Sequence, residues 1–223
     1  MMVQARAAKT RAAVLRAGAV VFERDGFDGA TAVAIIREAR VSKGSMQFHF
    51  RTKEQLAKAV VAEYEQRFRP VSDSVALEEG ASLPALLELS AVIACQLVEE
   101  PFVGAAYRLT MEESSWASRV TRPYLDAMRT VEALLDRAAA AGELRAGINV
   151  ESLACYVVSS FIGVQHVSNM LTSRTDLIQR TAQMWLFLLP SISEAHCLRE
   201  HLEVVRSTFV SHYVRSRSDL SAE

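Results

Sequence analysis

Six residues in one eight-residue window, Ser42, Lys43, Gly44, Ser45, Gln47 and His49, put two hydroxyls, an ammonium, an amide and an imidazole beside a bare backbone position. Nothing near them has the spacing of a nucleophile with its base, a phosphate loop or a metalloprotease helix. Together they can contact a polyanion. Lys43 can neutralise a phosphate or reach a base edge, and Ser42 and Ser45 can donate from short hydroxyls. Gln47 can donate to phosphate or read adenine. Gly44 has no Cβ to hold a partner away from the backbone. His49 and Lys53 would grip phosphates on the flank, Lys53 close to a helix N-terminus that itself favours anions. Thr31 could do the same from upstream, although capping a helix is an equally good use for it.

Such groups need a rigid element to present them, and the surrounding stretch supplies one. Residues 31–53 read as two short helices joined by a tight turn, opening onto a third at Lys53. Thr31 is a good N-cap for the first, with Val33, Ile36 and Ala39 at helical spacing. Arg40 and Val41 make the turn. Ser42 caps the second helix, which Met46, Phe48 and Phe50 anchor. A short helix so polar, with Gly near its start, makes sense if its outer face meets another molecule. In a helix-turn-helix the second helix enters the DNA major groove with its N-terminal residues near the base edges.

These residues carry a family resemblance. Val41-Ser-Lys-Gly-Ser-Met-Gln-Phe-His-Phe50 with Lys53-Glu-Gln-Leu56 resembles the TetR family of dimeric transcriptional regulators, and Thr10–Val14 and Val21–Phe27 match that family's first helix and its Gly-aromatic end. Farther on, Phe161–Gln165, Leu171–Leu177 and Met184–Pro190, with Pro101 and Arg108–Thr110, resemble the γ-butyrolactone-type autoregulator receptors of actinomycetes. The resemblance implies a repressor that a lactone, furan or butenolide releases from DNA, and through it control of antibiotic or secondary-metabolite genes. The chain departs from the pattern at several points. Gln47 stands where the family usually has a phosphate-binding Tyr. Ala127 replaces a usual Trp, Ile162 a common Thr, and Tyr64 a frequent Gln. Losing an indole and a hydroxyl enlarges a pocket and removes donors. A different effector, or a pseudo-receptor answering to an antibiotic or to nothing, is therefore also open.

Composition agrees with a helical, two-part protein. Half of the 223 residues are hydrophobic, prolines and glycines number only 5 and 9, and no alternating β-branched run stands out. The expected class is all-α, with about ten helices. Residues 1–70 carry 13 Lys and Arg against 7 Asp and Glu, while residues 71–223 carry 12 against 19. A basic module joined to an acidic one fits a DNA-binding part and a body that does not bind DNA. We expect a helix-turn-helix domain over 1–52 and a ligand-binding and dimerisation domain over 53–223, with the helix at 53–69 as connector and lever. No apolar run reaches membrane-spanning length uninterrupted, and the N-terminus lacks the pattern of a secretion signal. Cys95, Cys155 and Cys197 are odd in number and in apolar helical contexts, which predicts reduced core thiols in a cytoplasmic protein.

Along the chain we expect helices over 5–25 (Ala13, Ala17, Val20 and Val21 inward, Gly26 as stop), 53–69 and 82–98, the last capped by Ser82 after a polar connector at 71–81. Further helices follow over 102–113, from Pro123 to Gly142, and over 150–172, 176–189 and 194–215. Polar or aromatic groups in apolar surroundings make a candidate effector pocket: Tyr64, Gln96, Tyr107, Thr110, Trp116, Tyr124, Gln165, His166 and Asn169. Taken singly, each is more often a satisfied core or surface residue. The helices at 150–172 and 194–215 expose Tyr156, Phe161, Leu198, Leu202, Val205 and Phe209 at near-helical spacing, the natural seam of a homodimer that would read a palindrome in double-stranded DNA. His196, Cys197 and His201 have ligand-like spacing but no partner cluster, so no metal is expected. No cofactor, no catalytic residue and no membrane partner are implied; an enzyme or a small-molecule carrier is the rival reading.

Overall fold

The computed structural model describes residues 2–70, 73–74, 83–111 and 122–220. Within them the helices are α1 (Met2–Gly29), α2 (Ala32–Ala39), α3 (Lys43–His49), α4 (Lys53–Arg67), α5 (Leu83–Glu99), α6 (Pro101–Met111), α7 (Arg122–Ala140), α8 (Val150–Thr172), α9 (Leu177–Ile192) and α10 (Leu198–Leu220). No strand occurs among the described residues. The all-α expectation holds. The 71–81 connector, apart from 73–74, and the Ser82 cap lie outside the described residues.

The chain divides into two compact units. The first is residues 1–70 with 100–120, and the second is 71–99 with 121–223. In the first, α1 is the central post, packing on α2, α4 and α6. Its inner face is Val14, Leu15, Ala17, Ala19, Val21 and Phe22, all buried. Of the four residues expected inward, Ala17 and Val21 are buried, while Ala13 and Val20 are only half-buried. At Gly18 the α4 residue Leu56 packs close to α1, since a Cβ there would lie 2.8 Å from Leu56 Cδ2. Gly26 does interrupt the helix, with φ of 70° and ψ of 179°, but a last turn follows it. A φ of that sign strains any residue with a Cβ. Phe22 and Phe27 then stack at 6.1 Å across the break. α6, which the sequence expectation assigned to the ligand-binding part, packs with α1 and α4 in this unit.

In the second unit α5 is enclosed by α7, α9 and α10, and α8 packs on α7 and α9. A helix surrounded in this way is apolar nearly all round, and α5 buries ten of its seventeen residues. The Trp185 indole on α9 is fully buried and donates to Ser90 Oγ on α5 at 2.7 Å. The loop after α7 is pinned to the α9–α10 turn, Arg145 N donating to Ile192 O at 2.8 Å and Glu194 N to Glu143 O at 2.8 Å. Asn149 Oδ1 caps α8 by accepting from Ser152 N at 2.7 Å.

Two expectations about this unit change. Phe161, Val205 and Phe209 are buried within the subunit, and Leu198 and Leu202 are half-buried. Helix α10 therefore uses its apolar face on α5 and α9. Most exposed large apolar residues lie instead on α8 and α9, where Tyr156, Val167, Met170, Leu171 and Phe187 are exposed, with Val210 on α10. Secondly, Cys95 is buried but Cys155 is exposed and Cys197 half-buried, so they do not form a set of core thiols. By length and composition alone α8 is long and apolar enough to cross a membrane, with 28% of its most apolar window buried. Ser159, Ser160, Gln165 and His166 interrupt that apolar character.

Candidate nucleic-acid interface

The two short helices are fixed by their caps. Thr31 Oγ1 accepts from Ala34 N at 3.1 Å, and Ser42 Oγ accepts from Ser45 N at 3.2 Å. Between them Arg40 takes the left-handed conformation, φ 53°, and its N–H closes α2 on Arg37 O at 3.3 Å. Side-chain capping of this kind is worth about 1 kcal/mol each, enough to set the register of a seven-residue helix. α4 begins the same way, Thr52 Oγ1 accepting from Gln55 N at 3.2 Å while Gln55 Oε1 accepts from Arg51 N at 3.0 Å.

With that register, α3 presents Ser42, Lys43, Gly44 and Gln47 to solvent and keeps Ser45 and His49 half-exposed. A Cβ on Gly44 would meet nothing within 4 Å, so the open space lies outside the helix. Ser42 and Ser45 share a hydrogen bond at 3.0 Å, which joins the two hydroxyls at the helix start. Met46 and Phe50 hold the inner side, at 5% exposure each. Phe48 was expected to be a third anchor and is not, being 79% exposed. It stands two residues from both Met46 and Phe50, which puts it about 200° round the helix from them. Its ring meets His49 edge-on at 5.1 Å. Val33 on α2 is likewise 77% exposed, because Ile35 takes the inward position. Sequence reading missed these two as surface groups, because helical spacing by itself does not say which side is inner.

Lys53 goes elsewhere than expected. Its ammonium donates to Phe27 O at 2.7 Å and Ala30 O at 3.1 Å and sits 4.5 Å from the Phe27 ring centroid. Two of its three donors hold carbonyls at the end of α1, so its work is to fix the frame. Arg108 on α6 does the same one turn earlier, donating to Glu23 O at 2.7 Å and Arg24 O at 2.6 Å. The carbonyls of Glu23, Arg24, Phe27 and Ala30, on either side of the break at Gly26, thus meet two cations, which also suit the negative end of a helix dipole.

The candidate effector residues fall in different units. Tyr64 and Tyr107 are half-buried in the first, as is Thr110, whose hydroxyl donates to Ala106 O at 2.7 Å. Gln96, Tyr124 and Asn169 are half-buried in the second, and Gln165 is 9% exposed. His166 is exposed, because it follows Gln165 by one residue and so turns about 100° off the inward face. Trp116 lies outside the described residues. The Cys197–His201 spacing has a structural use. His201 is 2% exposed, its Nδ1 is 2.9 Å from Ser193 Oγ, and its Nε2 is 3.7 Å from Glu143 Oε2. Burial pushes its pKa down, against an opposing pull from Glu143. Both ring nitrogens therefore face protein groups rather than a shared metal position with Cys197.

Comparison with known proteins fits this arrangement. Residues 14–60 match the model described as bacterial regulatory proteins, tetR family, and residues 80–193 match the tetracyclin repressor-like C-terminal domain. The A-factor receptor protein of Streptomyces griseus is 32% identical over 194 residues, covering 86% of this chain and 67% of that one. The structure of CprB, a TetR family protein from Streptomyces coelicolor, in complex with its operator sequence matches with a TM-score of 0.79 at 26% identity, covering 91% of this chain and 98% of that one. A γ-butyrolactone receptor described as ArpA-like matches with a TM-score of 0.76 at 25% identity over 92% of this chain and 99% of that one. With a capped helix-turn-helix at its front and a family match across both parts of its length, this chain belongs to the TetR family of DNA-binding transcriptional regulators.

Proposed function

We propose that this regulator is a repressor that binds a palindromic operator as a homodimer and is released by a small signalling molecule of the lactone, furan or butenolide class, so controlling antibiotic or secondary-metabolite genes in the cytoplasm. The observation that carries the DNA part is the outer face of α3. Lys43, Gly44 and Gln47 stand exposed on a helix held by its caps and by Met46 and Phe50. Ser42, Lys43, Ser45, Gln47 and His49 contact phosphates and base edges, with Thr31 contributing from α2. Phe48 and Val33 add apolar contact with thymine methyl groups. An amide at position 47 in place of a phenol changes which operator is read.

The dimer is proposed to form through the exposed faces of α8 and α9. Phe187, Met170 and Leu171 are 83%, 70% and 69% exposed, an apolar surface that a second copy covers better than water does. This seam keeps the helix at 150–172 and exchanges the one at 194–215 for α9. The interrupted, sided character of α8 favours a protein partner over lipid.

The effector part rests on the receptor relatives and on α6. That helix lies in the stretch matched as the C-terminal domain, yet packs on α1 and α4 beside the recognition helices. A ligand that binds one state of the chain better shifts the population by its differential affinity. Residues 1–52 would do the reading and residues 53–223 the sensing and pairing, with α4 and α6 as the lever. Half-buried Ala127 and Ile162 also favour a second reading, a pseudo-receptor whose larger site takes a different molecule.

Fluorescence anisotropy on the promoter upstream of its own gene tests this. We expect binding that weakens steeply with salt, a dimer by sedimentation, and release by a γ-butyrolactone or by culture extract. Binding without salt dependence, or a monomer that binds as tightly, would overturn the DNA and dimer parts. An extract that never releases DNA would overturn the effector part.

A further inference from the structure

Among the described residues three that are not glycine take the left-handed conformation: Arg40, Ser173 and Arg174, at φ of 53°, 50° and 65°. Such a backbone crowds Cβ against the following carbonyl, so each needs a reason. Ser173 and Arg174 form the corner between α8 and α9. Ser173 N donates to Asn169 O at 3.1 Å and Arg174 N to Ser168 O at 3.2 Å, and the Arg174 side chain is buried. Arg40 closes α2 in the same manner, its N–H donating to Arg37 O and Val41 N to Ile36 O, both at 3.3 Å. Glycine is the usual residue at such a position, because it has no Cβ to crowd.

What differs is the side chain. The Arg40 guanidinium is exposed, and among the described residues it makes no hydrogen bond, ion pair or ring contact. Other arginines of the same unit are engaged: Arg24 by Asp25 at 2.7 Å, Arg67 by Glu63 at 3.0 Å, and Arg108 by two carbonyls. The favourable place for a cation at the C-terminal end of α2 is already taken by Arg37, in that helix's last turn. Glycine would therefore form this turn with less strain, and no contact within the chain makes use of the charge. The surroundings say what the charge would meet. Arg40 stands two residues before Ser42, so their Cα atoms are at most about 7 Å apart. Between Glu38 and Glu54 the chain has no acidic residue, while Arg40, Lys43 and Arg51 are all exposed cations. A positive field without internal compensation flanks the start of α3.

We propose that Arg40 is a phosphate contact at the entry to the recognition helix, its guanidinium clamping a DNA backbone phosphate beside the one met by Ser42. This rests on the reading of α3 as the helix that contacts DNA, and it adds a contact made from the turn. The planar fork of arginine donates two parallel N–H bonds to a phosphate. Such a contact fixes the depth and register of α3 and reads no base.

Full-length wild type, Arg40→Gly and Arg40→Lys decide it. Each is titrated by anisotropy onto the promoter duplex upstream of its own gene and onto a mixed-sequence duplex, over a range of salt. A phosphate contact carries no sequence information, so we expect Arg40→Gly to bind both duplexes about tenfold more weakly. Its log–log salt slope should be shallower by about 2 for the proposed dimer, one phosphate per subunit. Arg40→Lys should keep most of the slope, because an ammonium also neutralises a phosphate. Arg40→Gly should melt at or above the wild-type temperature, since glycine relieves the backbone, so its weaker binding cannot come from unfolding. Four results each overturn the inference: an unchanged slope in Arg40→Gly, a loss confined to the promoter duplex, an equal loss in Arg40→Lys, or a melting temperature for Arg40→Gly lowered by more than about 4 °C. If Lys43→Glu weakens binding while Arg40→Gly leaves it untouched, the role of Arg40 is wrong and the recognition helix stands. If wild type binds neither duplex with salt dependence, the reading of α3 fails and Arg40 with it.

Discussion

The two units use polar side chains in opposite ways. In the first, the groups that matter face outward. Ser42, Lys43, Gly44 and Gln47 are exposed, and what lies beneath them, Met46 and Phe50, is apolar and sealed. In the second, polar groups are turned inward and paired, as in Trp185 with Ser90, His201 with Ser193, and Ser168 with Asp176. An outward face works by being available to a charged duplex, so each residue acts nearly alone. An inward pair works by geometry, so moving one member leaves the other buried and unsatisfied. The contrast predicts large functional and small structural effects in the first place, and the reverse in the second.

The largest effect should come from Lys43→Glu. Reversing the charge on both recognition helices of the proposed dimer should weaken operator binding about 100-fold or more, with the urea midpoint unchanged within error. Anisotropy titrations at two salt concentrations, beside equilibrium unfolding, check both halves. A variant that binds as well as wild type would break the comparison at its strongest point.

Arg108→Ala sharpens it, because Arg108 is a frame residue inside the DNA-binding unit. Removing a cation from the Glu23 and Arg24 carbonyls should cost about 2–3 kcal/mol of stability, read from urea unfolding. Ser42→Ala is smaller. It removes the cap of α3 and should lower stability by about 1 kcal/mol, together with a several-fold loss of operator affinity. Lys at position 42 would test charge without the cap, and we expect it not to restore binding.

The smallest effects concern acid, and they fall in the second unit. The Ser168 hydroxyl, aided by Thr172 and Arg180 and opposed by burial, holds the Asp176 carboxyl down to about 2. A carboxylate with a depressed folded-state pKa binds protons more weakly than in the unfolded chain. Its contribution is complete above the unfolded value of 3.8 and is lost as pH falls toward 2. His201 also has a depressed pKa, through burial of the neutral ring, so its contribution is present above 6.5 and declines as pH falls below that. Melting temperatures measured from pH 7 to pH 3 should fall in two stages. His201→Gln should remove the upper stage, and Asp176→Asn the lower.

What could be read from the sequence follows from how local each feature is. Thr31, Ser42 and the Arg40 turn act over three or four residues, so their caps are written in the chain, and the helix over 150–172 was predicted to its end residues. The all-α class followed from periodicity for the same reason. The sequence also carried the family resemblance, because the recognition stretch is continuous. Other features depended on which surfaces meet. Phe48 and Val33 are apolar yet face out, since two residues along a helix reverse direction and only packing says which side is inner. Val205 and Phe209 looked like a dimer seam, but α5 and α9 lie against α10 and cover them. Lys53 is a cation well placed for phosphate by sequence, and only the fold brings the carbonyls of Phe27 and Ala30, 26 and 23 residues away, to its ammonium. Gln165 was legible as a polar residue in an apolar helix. That its oxygen is buried without a partner among the described residues is a matter of packing, because satisfaction is a property of the whole interior rather than of one segment.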